Sequence, residues 1–139
     1  MYEYSENIFF GGFKELKESE NIREFIVINL SNSDKYYYDE WIPLKDGVYD
    51  NGGNTQQEFA EAVNVVRDYL RTDSAIFVHC AMGQSRSISV LATAISAEEN
   101  CSFETVVDEL IEIRNSSTEP SSSLQNKAEV YLRHDCSSC

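Results

Sequence analysis

The run Val78-His79-Cys80-Ala81-Met82-Gly83-Gln84-Ser85-Arg86-Ser87 constrains the fold more than any other stretch of the chain. Ahead of it lies a short apolar segment, Ala75 to Val78, that suits a buried strand. Behind it, from Ser87 to Glu98, Ile88, Leu91, Ala92 and Ile95 recur at the spacing of a largely buried helix. A strand therefore passes into a helix through a tight loop, and Gly83 supplies the backbone freedom that such a turn needs. A junction of this kind belongs to a domain in which strands and helices alternate.

The remaining pattern agrees. Ile8-Phe9-Phe10 followed by Gly11-Gly12 reads as a strand ending in a turn, and Phe13 to Glu20 as a short helix with Phe13 and Leu16 inward. The segment Glu24 to Leu30 holds Phe25-Ile26-Val27-Ile28, which suits a strand buried on both faces. Tyr36-Tyr37-Tyr38 and Trp41 to Leu44 predict a further strand, with Pro43 favouring a sheet edge or the strand's end. Thr55 with Glu58 forms a capping box, and Phe59, Ala62, Val63, Val66 and Leu70 continue it as an amphipathic helix. Two more helices follow. One carries Phe103, Val106, Val107, Leu110 and Ile111; the other, beyond the break at residues 115–123, carries Leu124, Ala128, Tyr131 and Leu132. The expectation is a single α/β domain over residues 1–139, with a central, mainly parallel sheet and helices on both faces. Ligands of such sheets bind beyond the carboxyl ends of the strands, where the Val78–Ser87 loop falls.

Composition narrows the class of partner. The 139 residues include 24 Asp plus Glu against 11 Lys plus Arg, a net charge of -13. A surface this acidic repels nucleic acid and anionic lipid, so neither nucleic acid nor membrane is an expected partner. It repels phosphate too, so a phosphate site has to be a local feature working against the global field. The acidity reads either as a solubilising surface or as adaptation to a salty cytoplasm. Apolar stretches are too short to span a bilayer, and Met1 to Glu6 lacks the basic and apolar regions of a signal peptide, so a cytoplasmic protein is expected. Its cysteines, Cys80, Cys101, Cys136 and Cys139, are then expected to be reduced. The CxxC pair Cys136 and Cys139 supplies only two ligands, and no metal or other cofactor is expected.

The loop has a chemical logic. Amides of a tight loop at a helix N-terminus converge on one point and favour an anion there, so Ala81, Met82, Gly83, Gln84 and Ser85 are expected to cradle a phosphate. The same field favours the thiolate of a cysteine beneath it, making Cys80 the candidate nucleophile. Arg86 offers a planar fork that bonds two phosphate oxygens and holds them as charge shifts in the transition state. Ser87 is placed to stabilise the sulfur as a leaving group, and His79 to orient the loop through backbone hydrogen bonds. Any one of these residues alone has an ordinary structural reading, a buried cysteine or a surface arginine. The joint pattern HCxxGxSRS at a strand-to-helix junction is far harder to meet by accident.

That pattern resembles the signature of the dual-specificity protein phosphatases, within the protein tyrosine phosphatase superfamily. Ile8 to Gly12, Phe25 to Leu30 and Trp41 to Asp46 resemble the family's opening strand, second strand and the strand that enters its acid loop. The resemblance implies phosphorylated proteins as substrates, a cysteinyl-phosphate intermediate and no cofactor. It also implies an aspartate general acid on the loop upstream of the cysteine. Asp46 and Asp50 both fit; Asp46 follows the strand directly and is preferred. The uncharged loop residues Ala81, Met82 and Gln84 differ from the lysine-bearing loops of the superfamily's phosphoinositide phosphatases. The chain departs from the family at Pro120-Ser121, where Pro-Asn is common, and after Arg114, where Asn115, Ser116 and Ser117 replace basic residues. A phosphate-binding adaptor without turnover is the alternative from another class. Sulfur transfer or arsenate reduction on a similar loop fits less well, because Cys80 is mid-chain and a serine follows Arg86.

Overall fold

The computed structural model describes residues 1–45, 54–81, 85–116 and 119–135. Its strands are β1 (Tyr2–Ser5), β2 (Ile8–Gly11), β3 (Ile26–Asn29), β4 (Glu40–Trp41) and β5 (Ile76–His79). Its helices are α1 (Phe13–Glu18), α2 (Gln56–Leu70), α3 (Arg86–Glu99), α4 (Phe103–Arg114) and α5 (Ser122–Asp135). The strands form one five-stranded sheet in the order β1-β2-β5-β3-β4. Only the β1–β2 pair is antiparallel; β5 runs parallel to both its neighbours, and β3 parallel to β4. The expected mainly parallel α/β domain is the fold observed.

The period of two along β5 builds the two layers. Ile76 and Val78 face one side, where α2, α3, α4 and α5 bury Phe59, Val63, Ile88, Leu91, Val106, Leu110 and Leu124 around them. Phe77 faces the other side and packs with Val27 and Leu16 of α1. Helix α3 lies at the centre of the thicker layer, buried all round from Arg86 to Ser96. Its polar residues are accommodated by bonding back onto their own helix: Ser89 Oγ donates to the Ser85 carbonyl and Thr93 Oγ1 to the Ser89 carbonyl, each at 2.6 Å.

Two departures from the sequence reading have physical causes. Strand β1 was not expected. It forms because Tyr2 and Tyr4 alternate with exposed residues, and Tyr2 packs on Phe10 across the hairpin with ring centroids 5.5 Å apart. Tyr36 to Tyr38 was expected to share a strand with Trp41, but the strand is only Glu40–Trp41. The reason is Asp39, whose carboxylate accepts the Val27 N–H at 2.8 Å and takes the place of a backbone ladder partner. Tyr36 instead turns its ring onto Phe13, at 4.8 Å.

Candidate active site

The central position of β5 decides where the site lies. Gly11 and Asn29 flank His79 on either side in register, so the chain leaves the sheet at Cys80 between two neighbouring strand ends. The exit is braced from both. Leu30 N–H donates to the His79 carbonyl at 2.8 Å, and Cys80 N–H to the Gly11 carbonyl at 3.3 Å. Phe13 N–H donates to the Ala81 carbonyl at 2.9 Å, tying the start of the loop to the first residue of α1. Gly11 is required for this close approach. A Cβ there would lie 2.9 Å from Cβ of Glu15, whose carboxylate accepts the Gly12 N–H at 2.8 Å.

Cys80 is buried, 1% exposed, and its Sγ lies 3.4 Å from Oγ of Ser87 in the first turn of α3. Arg86, the first residue of α3, is 7% exposed. Its Nη1 donates to the Leu44 carbonyl at 3.0 Å, and its Nε has no partner among the described residues. No acidic residue stands in the first turn of α3, so the partial positive charge of its N-terminus is left for whatever the loop holds.

His79 is fully buried, with its ring stacked on Phe77 at 5.4 Å and tilted against Phe13 at 5.9 Å. Burial pushes its pKa down to about 4, and the nearby Arg86 charge pushes the same way. The imidazole is therefore neutral at pH 7. Its Nδ1 lies 3.4 Å from the Cys80 carbonyl, an acceptor, so the proton sits on Nδ1 and points at the loop backbone.

Cys80, Ser85, Arg86, Ser87, His79 and Ala81 thus converge on one junction. Met82, Gly83 and Gln84 lie outside the described residues, as do Asp46, Asp50, Cys136 and Cys139. Among the described residues there is no group of three or more His, Cys, Asp or Glu able to hold a metal, and no helix is long and apolar enough to cross a membrane. Two contributors were missed from sequence. Ser85 Oγ accepts the Ser121 N–H at 3.1 Å, pinning the end of the loop to the segment before α5. Ser121 Oγ in turn accepts the Leu124 N–H at 3.4 Å as a helix cap. The serine cap Ser121, three residues before Leu124, was legible; its contact with Ser85 was not. The other is Asn54, whose partners are backbone groups and leave no trace in a motif.

A parallel α/β sheet whose central strand ends at a buried cysteine, with an arginine opening the next helix, is the arrangement of the protein tyrosine phosphatase superfamily. The family model for the dual specificity phosphatase catalytic domain matches residues 8–131, and the chain belongs to that family of protein phosphatases. Among solved structures it is similar to human DUSP28, with a TM-score of 0.81, 14% identity and 100% of both chains covered. It is also similar to the human tyrosine phosphatase-like serine/threonine/tyrosine-interacting protein, with a TM-score of 0.76, 15% identity, and 99% of this chain and 98% of that one covered. For PTPMT1 the TM-score is 0.74 at 16% identity, with 99% and 96% covered. At such identities the likeness bears on the fold alone. A search of curated protein sequences finds no match.

Proposed function

We propose that this protein hydrolyses phosphate monoesters of tyrosine, and of serine and threonine, in protein substrates through a cysteinyl-phosphate intermediate on Cys80. The observation that carries the reading is the buried Cys80 sulfur at the end of β5, 3.4 Å from the Ser87 hydroxyl, with Arg86 opening α3 beside it. The thiolate attacks phosphorus, the P–S bond forms and the bond to the substrate oxygen breaks. Asp46, or Asp50 in its place, gives that oxygen its proton. Water then attacks phosphorus, Asp46 takes the proton back, and the P–S bond breaks to release orthophosphate. Ser87 stabilises the departing sulfur with a hydrogen bond, and Arg86 with the loop amides of residues 81–85 holds the equatorial oxygens throughout. These groups supply the charge stabilisation, so no cofactor is needed.

The test is hydrolysis of an aryl phosphate and of phosphopeptides by wild type and Cys80→Ser. The variant should lose turnover by about 10⁴-fold or more while still binding tungstate. Substantial residual hydrolysis would sink the mechanism. Binding of phosphopeptides without turnover by wild type would establish the adaptor instead. A side-by-side preference for inositol phospholipids over phosphopeptides would overturn the substrate class.

A further inference from the structure

The peptide unit joining Leu44 to Lys45 is gripped from both sides. Its C=O accepts from Arg86 Nη1 at 3.0 Å, and its N–H, which belongs to Lys45, donates to Oδ1 of Asn54 at 2.7 Å. A trans peptide holds these two groups rigidly on opposite sides of one plane. Fixing the N–H therefore fixes where the carbonyl points. Asn54 grips the same residue a second time, its Nδ2 donating to the Lys45 carbonyl at 2.9 Å. The pair of bonds has the pattern of an antiparallel strand bridge, made by a side chain. Leu44 is fully buried, and its own N–H donates to the Leu30 carbonyl of the strand β3 end at 3.0 Å. Asn54 is only 8% exposed, so its end of these part-buried bonds is shielded from water.

We propose that Asn54 is a positioning residue for the phosphate-binding guanidinium of Arg86, acting through the Leu44–Lys45 peptide unit. The inference rests on the reading of Arg86 as the phosphate clamp. An arginine side chain is long and has many rotamers to lose when it is fixed. The Leu44 carbonyl removes part of that freedom before any phosphate arrives, and Asn54 keeps the carbonyl in place. Polarisation runs the same way: accepting the Lys45 N–H makes the Leu44 carbonyl a stronger acceptor for Arg86. The start of α2 does not need Asn54, because Thr55 and Glu58 cap it reciprocally at 3.0 and 2.8 Å.

The experiment measures tungstate affinity by calorimetry in the Cys80→Ser protein, which needs no turnover, alongside kcat and KM in the otherwise wild-type enzyme. Asn54→Ala should weaken tungstate binding about tenfold and lower kcat/KM comparably. Thr55→Ala, which loosens the start of α2 without touching Lys45, should leave both at the wild-type level. With Arg86→Ala already present, Asn54→Ala should weaken tungstate binding no further. Should Asn54→Ala fail to fold, Asn54→Ser replaces it in the same comparison, with a loss of about threefold expected. The inference is overturned if the Asn54 variant melts earlier but binds tungstate like its parent, if Thr55→Ala weakens binding equally, or if the losses at Asn54 and Arg86 simply add. Absence of wild-type turnover together with an Arg86-dependent loss of binding in Asn54→Ala would refute the phosphatase reading and leave the positioning role standing.

Discussion

His79 is a titratable group that the fold keeps uncharged. Its pKa is 6.5 in an unfolded chain and about 4 when sandwiched between Phe77 and Phe13, with burial the main cause. Between those values the unfolded chain binds a proton that the folded one refuses, so stability rises with pH there. The contribution is complete above pH 6.5 and is lost progressively as the pH falls to about 4, for a total of roughly 3 kcal/mol. His79→Asn removes that titration. Melting temperatures followed from pH 7 to pH 4 should therefore fall more steeply for wild type than for the variant, whatever the carboxylates contribute to both. Parallel curves would mean that the fold leaves the His79 pKa at its unfolded value.

At the scale of elements, one arginine stitches three helices. Arg67 of α2 donates through Nη1 to Asp135 at 2.7 Å and to the Tyr131 hydroxyl at 2.9 Å, both on α5. Through Nη2 it reaches Glu98 of α3 at 3.4 Å, a carboxylate it shares with Arg71. The Tyr131 hydroxyl donates onward to Asn64 Oδ1 at 2.5 Å. The Arg67 side chain is 12% exposed, so these bonds are stronger than surface pairs and removing it leaves Asp135 and Tyr131 with lost partners. Arg67→Ala should cost about 2 kcal/mol in denaturant unfolding. Hydrogen exchange should quicken first in the last turns of α5, while tungstate affinity at the distant phosphate loop stays unchanged. A stability loss under about 0.5 kcal/mol would reduce the network to an ordinary surface contact.

Over the whole molecule the dominant fact is a net charge of -13. Among the described residues the ion pairs gather on Arg67 and Arg71, at the α2–α3–α5 seam, which leaves most of the acidic surface unpaired there. The field is felt locally: burial, with Glu99 and Glu109 adding, holds the Tyr4 hydroxyl up at about 12. Screening should relieve such self-repulsion. The melting temperature should climb as monovalent salt goes from low to molar concentration, if the surface is suited to high salt. A flat or falling response would assign the acidity to solubility alone.

What the sequence determined by itself were the features whose causes are local. The Thr55–Glu58 capping box, the helical spacing of Phe59, Val63 and Val66, and the strand β5 and helix α3 on either side of residues 82–84 each carry their reason within one element. The alternation of these pieces was enough to predict a mainly parallel sheet, and a strand running directly into a helix was enough to place the candidate site at its carboxyl edge. Tertiary structure decided what depends on distant backbone. Strand β1 exists because β2 offers it a partner edge, and β4 is short because the Asp39 carboxylate occupies the Val27 amide. Arg86 is aimed by the carbonyl of Leu44, Ser85 is pinned by the amide of Ser121, and Asn54 grips both backbone groups of Lys45. A carbonyl or an amide is the same chemical group at every residue, so no side-chain pattern announces which one will be used; only the packed chain brings the chosen one within hydrogen-bond distance of its partner.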